Sequence, residues 1–360
     1  MTAEARWRRV CTRDVLVRDG SLAVTVEGVR LALYWLEERP WALSNVCNHK
    51  GGPLAGPCTG EFAKCRWHGW EYSVKTGRGP AGYEAEAVPT HAAELRGEDV
   101  WVDLTPATRR QVVKHSPHPL ARKVEHHAHD GIRVLGLSTT EMDAALPRFS
   151  TSEHLLEHAL EHAATRPGVE TKLFRLRTLG FKPCEGNYSK AARACIWPCA
   201  ITEREPDDGL TPVYEALVHW ADVVLVATPI RWGAPGALYT KMVERMNCIQ
   251  NQITIADTVL IQRKVGAFII TGGQDGIQAV AGNMLTFFAE LGFQFPPFPF
   301  IAHSRGWEAE DMERNVAAVQ SSETLRDGAR ALVDRAMDTA SLIHGTTGLA
   351  HGGRKGSGEA

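Results

Sequence analysis

Residues Cys47–Gly69 read CNHKGGPLAGPCTGEFAKCRWHG, and the interpretation of this stretch decides the fold of the first third of the chain. It holds two short pairs of metal-capable side chains, Cys47 with His49 and Cys65 with His68, separated by a glycine-rich loop. Each pair mixes one thiol with one imidazole. Two cysteines and two histidines also make a zinc set, but zinc fingers place both cysteines in one pair and both histidines in the other. Bulky residues do not pack where two tight loops converge on a metal centre. That accounts for Gly51, Gly52 and Pro53 after the first pair and Gly69 after the second.

The matched string runs on through HGWEYSVKTGRG, Gly77 included, and as a whole it resembles the Rieske family. In a Rieske [2Fe-2S] cluster one iron takes two thiolates and the other two imidazoles. The resemblance therefore implies Cys47, His49, Cys65 and His68 as metal ligands. Members from respiratory and photosynthetic chains add a second cysteine to each loop and a serine hydrogen-bonded to a bridging sulfide. Here those places hold Gly52, Trp67 and Trp70. With fewer hydrogen bonds to the sulfurs, the implied potential lies low, roughly −150 mV, and the cluster would donate electrons readily.

Working outward, the ligand-rich stretch occupies only the first third of 360 residues, so a second core must follow. Hydrophobic content of 44%, charged content of 23% and a formal net charge of −2 are those of an ordinary globular protein, with no basic footprint for nucleic acid or anionic membrane. The start, MTAEARWRRVCTRD, lacks the apolar centre of a signal peptide, and no segment is long enough to span a membrane. A cytoplasmic location is expected, with the eight cysteines holding iron or remaining as thiols rather than structural disulfides.

From Val10 to about Leu104, short alternating runs such as SLAVTVEG, VRLALYWLE and DVWVDL suggest an antiparallel β domain. The proline-bearing stretch that follows, ending in HHAHD, reads as a polar tether. At Gly131 the character changes. IRVLGLS, VETKLFRL, DVVLVATP and VGAFIITGG read as buried parallel strands, while SEHLLEHALEHAATR, PGALYTKMVERMN and IQAVAGNMLTFFAELG read as helices. Strand and crossover in repetition make a doubly wound sheet. The expected organisation is multidomain: an antiparallel β domain over residues 1–105, a linker over 106–130, an α/β doubly wound parallel sheet over 131–344, and a disordered tail over 345–360.

Ligands of doubly wound sheets bind beyond the carboxyl ends of the strands, so the strand-to-helix turns are the places to look. The first turn, Ser138 to Ser152, brings hydroxyls and Arg148 to a helix start; this suits a phosphate, and equally suits N-capping by Ser150 or Ser152. The second is TPIRWGAPGALYTKMVER and the third TGGQDGIQ. Together they resemble the flavodoxin-like NAD(P)H-dependent FMN reductase family over about residues 131 to 330. The resemblance implies that Thr228, Pro229, Ile230, Arg231, Trp232 and Gly233 wrap the isoalloxazine ring of FMN and that Thr271, Gly272, Gly273, Gln274 and Gly276 lie against its edge. On the same ground Ser138, Arg148, Ser150 and Ser152 are candidate phosphate contacts. Some relatives carry a compact cysteine motif for a further cluster. Here Cys184, Cys195 and Cys199 are spaced more widely, so packed thiols, a redox-active pair, or a second cluster with Cys248 stay open. His154, His158 and His162 share one helical stripe, expected to be a solvated face.

A hydride delivers two electrons while a Rieske cluster accepts one, and flavin interconverts the two. The expected activity is an NAD(P)H-dependent oxidoreductase in which FMN and the cluster relay electrons to a small-molecule or protein acceptor. Arg231 would stabilise reduced flavin, and Trp232 would stack on its open face. Alternatives are a quinone, nitro or N-oxide reductase with an accessory cluster, an oxygenase with mononuclear iron, and a non-enzymatic carrier or sensor. A homodimer or homotetramer is expected, closed by KMVERMNCIQNQ and FQFPPFPFIAHSRGW; no nucleic-acid or membrane partner is expected.

Overall fold

The computed structural model describes residues 5–114, 116–125, 131–143, 145–272, 276–304 and 309–345. The chain divides into two compact units: Met1–Pro117 with Gly186–Ala194, and His118–Glu185 with Cys195–Ala360. The division thus falls inside the stretch read as a linker, and a segment from the middle of the chain groups with the first unit. The HHAHD tract and the tail beyond Gly345 lie outside the described residues.

In the first unit, β1 (Trp7–Thr12) is followed by α1 (Arg13–Asp19), β2 (Ser21–Val26), β3 (Val29–Leu36), β4 (Arg39–Ser44), the small strands β5 (Cys58–Thr59), β6 (Phe62–Lys64) and β7 (Glu71–Ser73), and then β8 (Thr90–Arg96) and β9 (Asp99–Pro106). Antiparallel pairing gives one sheet in the order β1-β9-β8-β4-β3-β2 and a second, β5-β6-β7. The period of two decides what each face of β3 does. Leu31 and Leu33 pack with Leu16, Ala42, Val100 and Val102. Ala32 and Tyr34 point the other way, into a cluster with Leu54, Ala63, Tyr72 and both Cys47 and Cys65. A strand buried on both faces anchors the metal-capable loops to the main sheet.

The second unit contains β10 (Ile132–Ser138), α2 (Thr151–Ala164), β11 (Val169–Arg175), the short helices α3 (Ala200–Arg204) and α4 (Thr211–Tyr214), β12 (Val223–Arg231), β13 (Ala234–Pro235), α5 (Ala237–Arg245), α6 (Asn247–Ala256), β14 (Val265–Gly272), α7 (Ile277–Leu291), β15 (Phe300–Ser304), α8 (Ala309–Ser321) and α9 (Glu323–His344). Its strands pair in parallel in the order β11-β10-β12-β14-β15, so their carboxyl ends share one edge. Side chains alternate across the sheet. Val223, Leu225, Ala267 and Ile269 face α2 and α9, while Val224, Val226, Phe268 and Ile270 face α5 and α7. Leu156 of α2 is fully buried, and truncating such a side chain to alanine costs roughly 2–5 kcal/mol.

Two expectations change. VETKLFRL is not a continuously buried strand: β11 pairs only with β10, and because an edge strand lacks a neighbour on its outer side Glu170 and Lys172 are exposed, although Leu173 and Phe174 pack into the cores on the two faces. The histidine stripe is not wholly solvated, since His162 Nε2 lies 3.0 Å from Asp334 of α9 and the rings of His154 and His158 pack edge to face. Nothing in the periodicity of α2 reveals that α9 lies alongside it.

Candidate functional site

The two metal-capable pairs sit on the same turn used twice. Gly51 N–H donates to Cys47 O at 3.0 Å, and Gly69 N–H donates to Cys65 O at 3.0 Å. Both glycines lie at positive φ, +76° and +77°, a region that side-chain-bearing residues enter at a cost. The side chain of Asn45, at the end of β4, accepts from the N–H groups of Leu54 and Ala55 at 2.7 and 2.8 Å, fixing the descending limb of the first loop. Gly52 is dictated by approach: a Cβ there would lie 2.9 Å from Cys65 Sγ and 2.8 Å from the Trp67 ring.

The four side chains are brought together. Cys47 and Cys65 share one buried cluster, and the His49 and His68 ring centroids are 4.7 Å apart. The neighbouring Cys47, with the N–H groups of Trp67 and His68, lowers Cys65 against the effect of burial, while Cys65 and burial push Cys47 up. Two adjacent thiols and two adjacent imidazoles, one of each from each loop, fit a di-iron cluster with two protein ligands per iron. Sequence reasoning missed three supporting groups. Besides Asn45, Tyr72 places its hydroxyl 3.9 Å from Cys47 Sγ. His68, only 2% exposed, has its Nε2 2.6 Å from the carbonyl oxygen of Ala194. A carbonyl only accepts, so Nε2 carries the proton and Nδ1 is left as the metal-capable nitrogen. Tyr72 falls within the HGWEYS string and was open to discovery; Ala194 carries no signal, because any residue offers a carbonyl.

The second constellation is assembled at the shared strand ends of the second unit. After β10, the Thr140 hydroxyl lies 2.8 Å from that of Ser150 and 3.1 Å from that of Ser152. Ser150 is the N-cap of α2, accepting from Glu153 N–H. Ser138 is fully buried, and its hydroxyl donates to Glu153, which Arg175 and Arg177 also bind. After β12, residues Ile230–Pro235 form a tight hairpin with β13, whose tip is Trp232 and Gly233 at φ +51° and +71°. Two positive φ values in a two-residue loop define a type I′ turn, which explains why a tryptophan adopts this conformation. Trp232 is 91% exposed at that tip. The buried Thr228 hydroxyl accepts from Gly236 N–H at 3.0 Å and closes the base.

The third turn meets the second at both of its described ends. A Cβ on Gly272 would lie 2.8 Å from Ile230 Cβ, and one on Gly276 would lie 3.3 Å from Gly233 Cα. Thr271 joins the first turn through its hydroxyl, 2.6 Å from that of Thr151. Gly273 and Gln274 lie outside the described residues. Partial burial depresses the Arg231 guanidinium, and the charge of Arg148 depresses it further. Two cations in mutual repulsion, a hydroxyl cluster at a helix start and a backbone edge that tolerates no Cβ fit a flat anionic cofactor bearing a phosphate.

Comparison with known proteins finds a family model over each unit. The Rieske [2Fe-2S] domain model matches residues 6–92, and the NADPH-dependent FMN reductase model matches residues 143–308. The chain is similar to the ferredoxin component of the naphthalene 1,2-dioxygenase system of Pseudomonas aeruginosa, 33% identical over 85 residues that make up 23% of this chain and 82% of that protein. The counterpart from Pseudomonas putida is 31% identical over 97 residues, 27% of this chain and 92% of that one. Among solved structures, RosB with a bound 8-demethyl-8-formylriboflavin-5'-phosphate intermediate matches 60% of this chain and 81% of its own, at 19% identity and a TM-score of 0.49. Among the described residues, no helix is long and apolar enough to cross a membrane. The chain thus belongs to the Rieske [2Fe-2S] family through residues 6–92 and continues as an NADPH-dependent FMN reductase domain over residues 143–308, which makes it an iron–sulfur flavin oxidoreductase.

Proposed function

We propose that the protein passes electrons between NAD(P)H and an acceptor by way of FMN at the strand ends of the second unit and a [2Fe-2S] cluster in the first. FMN, when bound, converts between two-electron hydride chemistry and the one-electron steps of a cluster. The observation that carries this reading is the excursion of residues 186–194. The chain leaves the second unit at Glu185, contributes Gly186–Ala194 to the first, and re-enters the second at Cys195. The carbonyl that holds His68 therefore belongs to the last residue of the excursion, and the next residue, Cys195, is in the second unit.

In this reading Cys47 and Cys65 bind one iron as thiolates, His49 and His68 bind the other, and the Ala194 carbonyl fixes the tautomer of His68. The Thr228–Gly236 hairpin and the Thr271–Gly276 turn hold the flavin ring by backbone, Thr140, Ser150 and Ser152 receive the phosphate, and Arg148 and Arg231 offset its negative charge. Trp232 covers one face of the ring. Anaerobic mixing with NADH or NADPH, followed by absorbance and electron paramagnetic resonance, is expected to show flavin bleaching and then the reduced-cluster signal. Flavin that bleaches while the cluster stays oxidised over many turnovers ends the relay.

A second reading draws on the sequence relatives, which are ferredoxin components of dioxygenase systems. In this reading the acceptor of this chain is a separate oxygenase protein that takes electrons from the cluster. Against a small-molecule reductase with an accessory cluster, His68→Ala decides: both relay readings require the variant to lose turnover, whereas an accessory cluster leaves quinone or nitro reduction intact.

A further inference from the structure

Glu86 is a buried carboxylate in the first unit that the relay does not use. It is 2% exposed, and each of its oxygens accepts a hydrogen bond: Oε2 from Asn48 Nδ2 at 2.5 Å, and Oε1 from the Val113 N–H at 2.7 Å. Acceptance at both oxygens suits the ionised form. Asn48 is the residue between Cys47 and His49, so this charge stands one side chain away from the first metal-capable loop.

The other end of the same amide meets a cation. Arg110 donates to Asn48 Oδ1, while its Nη1 also reaches the carbonyl of Val46 at 2.9 Å and its Nη2 the hydroxyl of Ser44 at 2.9 Å. The guanidinium thus grips the residue before Cys47 and the residue after it. With a cation on its oxygen and an anion on its nitrogen, the Asn48 amide has one orientation, and the hydrogen bonds along the chain polarise one another. The Asn48 backbone nitrogen lies 3.4 Å from the Tyr72 hydroxyl, which is itself 3.9 Å from Cys47 Sγ.

Arg110 and Val113 come from one segment, residues 107–113, which follows β9 and lies beyond the stretch that the Rieske model matches. It is stitched to the chain around the start of β8. Gln111 and Ala87 exchange N–H···O bonds of 2.8 and 2.9 Å, the Ala107 N–H donates to Thr90 O at 2.8 Å, and Thr108 Oγ1 accepts from the Thr90 N–H at 2.9 Å. A strap read from the sequence as part of a tether is therefore fastened to the cluster loop.

We propose that Glu86 and Arg110 are positioning residues that act through Asn48 on the cluster, Glu86 making it harder to reduce and Arg110 making it easier. The inference rests on the reading of Cys47 and His49 as ligands. The two charges do not cancel. Glu86 is enclosed, so its field is little screened, whereas Arg110 is exposed and water weakens its field. The charge near a cluster is one of the levers on its potential, and here the balance keeps that potential low.

The full-length protein, flavin retained, is titrated anaerobically with dithionite and redox mediators, and the reduced cluster is followed by electron paramagnetic resonance. Glu86→Gln is expected to raise the cluster midpoint by about 59 mV, about tenfold in the one-electron reduction equilibrium, and Arg110→Gln to lower that equilibrium by about threefold. Opposite signs are the test, because a merely structural role would loosen the loop in both variants and move both midpoints the same way. Any pattern other than a rise with Glu86→Gln and a fall with Arg110→Gln, each of at least about twofold, overturns the proposal. Arg110 is exposed, so its replacement leaves the core intact; if Glu86→Gln loses its iron, Arg110→Gln decides alone, a lowered midpoint supporting the proposal and any other ending it. Loss of iron from both variants also ends it. A wild type that purifies without iron ends the ligand reading and this inference with it, whereas a loaded wild type with unmoved variants ends this inference alone.

Discussion

The cluster loops and the flavin cradle are built on opposite plans. All four candidate ligands of the first lie between Cys47 and His68, on one turn used twice, and their placement depends on local hydrogen bonds and one buried strand. The second gathers short pieces from the ends of β10, β12 and β14, residues that meet only because parallel strands end along one edge. A local site stakes everything on four atoms. A dispersed one spreads its binding over backbone, and the loss of a single side chain should matter less than crowding of the main chain.

The largest expected effect is therefore at the first site. Cys65→Ser should abolish the reduced-cluster resonance and remove the iron, with flavin content within two-fold of the wild type; iron retained at half the normal level would break the contrast. Next comes a carboxylate behind the second site. Burial alone would raise Glu153, but hydrogen bonds from Arg177, Ser138 and Arg175 prevail and hold it at about 2. Because its folded pKa is depressed, the stabilisation is complete above about pH 4.5 and is lost as pH falls toward 2, about 3 kcal/mol in all. Urea unfolding of the wild type between pH 5 and 2.5 should show this slope, and Glu153→Gln should flatten it. Gly272→Val tests crowding: a Cβ would meet Ile230, and overpacking of about 1–3 kcal/mol should weaken FMN binding in calorimetry by about 10- to 100-fold. Arg231→Ala should cost least, about five-fold in FMN affinity, since its side chain is exposed and its attraction is screened. A larger loss from Arg231→Ala than from Gly272→Val would invert the comparison.

The same contrast explains what could be read in advance. Alternation in SLAVTVEG and VRLALYWLE gave β2 and β3, and the apolar runs gave β10, β12 and β14, because burial dictates periodicity. The Cys–His pairs were legible because their chemistry is carried by side chains. The glycine turns after β12 and β14 pointed to the right edge of the sheet, yet Ser138 looked like a cofactor contact while its hydroxyl is bonded to Glu153, a partner fifteen residues on whose orientation is fixed by two arginines. The hold of Ala194 on His68 was invisible, since it uses a carbonyl common to all residues.

The passage of the chain into the first unit at Gly186 and out again at Ala194 bears on how such a protein can be dissected or can have arisen. Two modules strung end to end separate at one scission. Here a cut at Pro117 would release an amino-terminal fragment stripped of the segment that steadies His68, and a carboxyl-terminal fragment with nine residues belonging elsewhere. Faithful halves would need a transplanted peptide, and an ancestral gene fusion would have had to be followed by a second, internal adaptation.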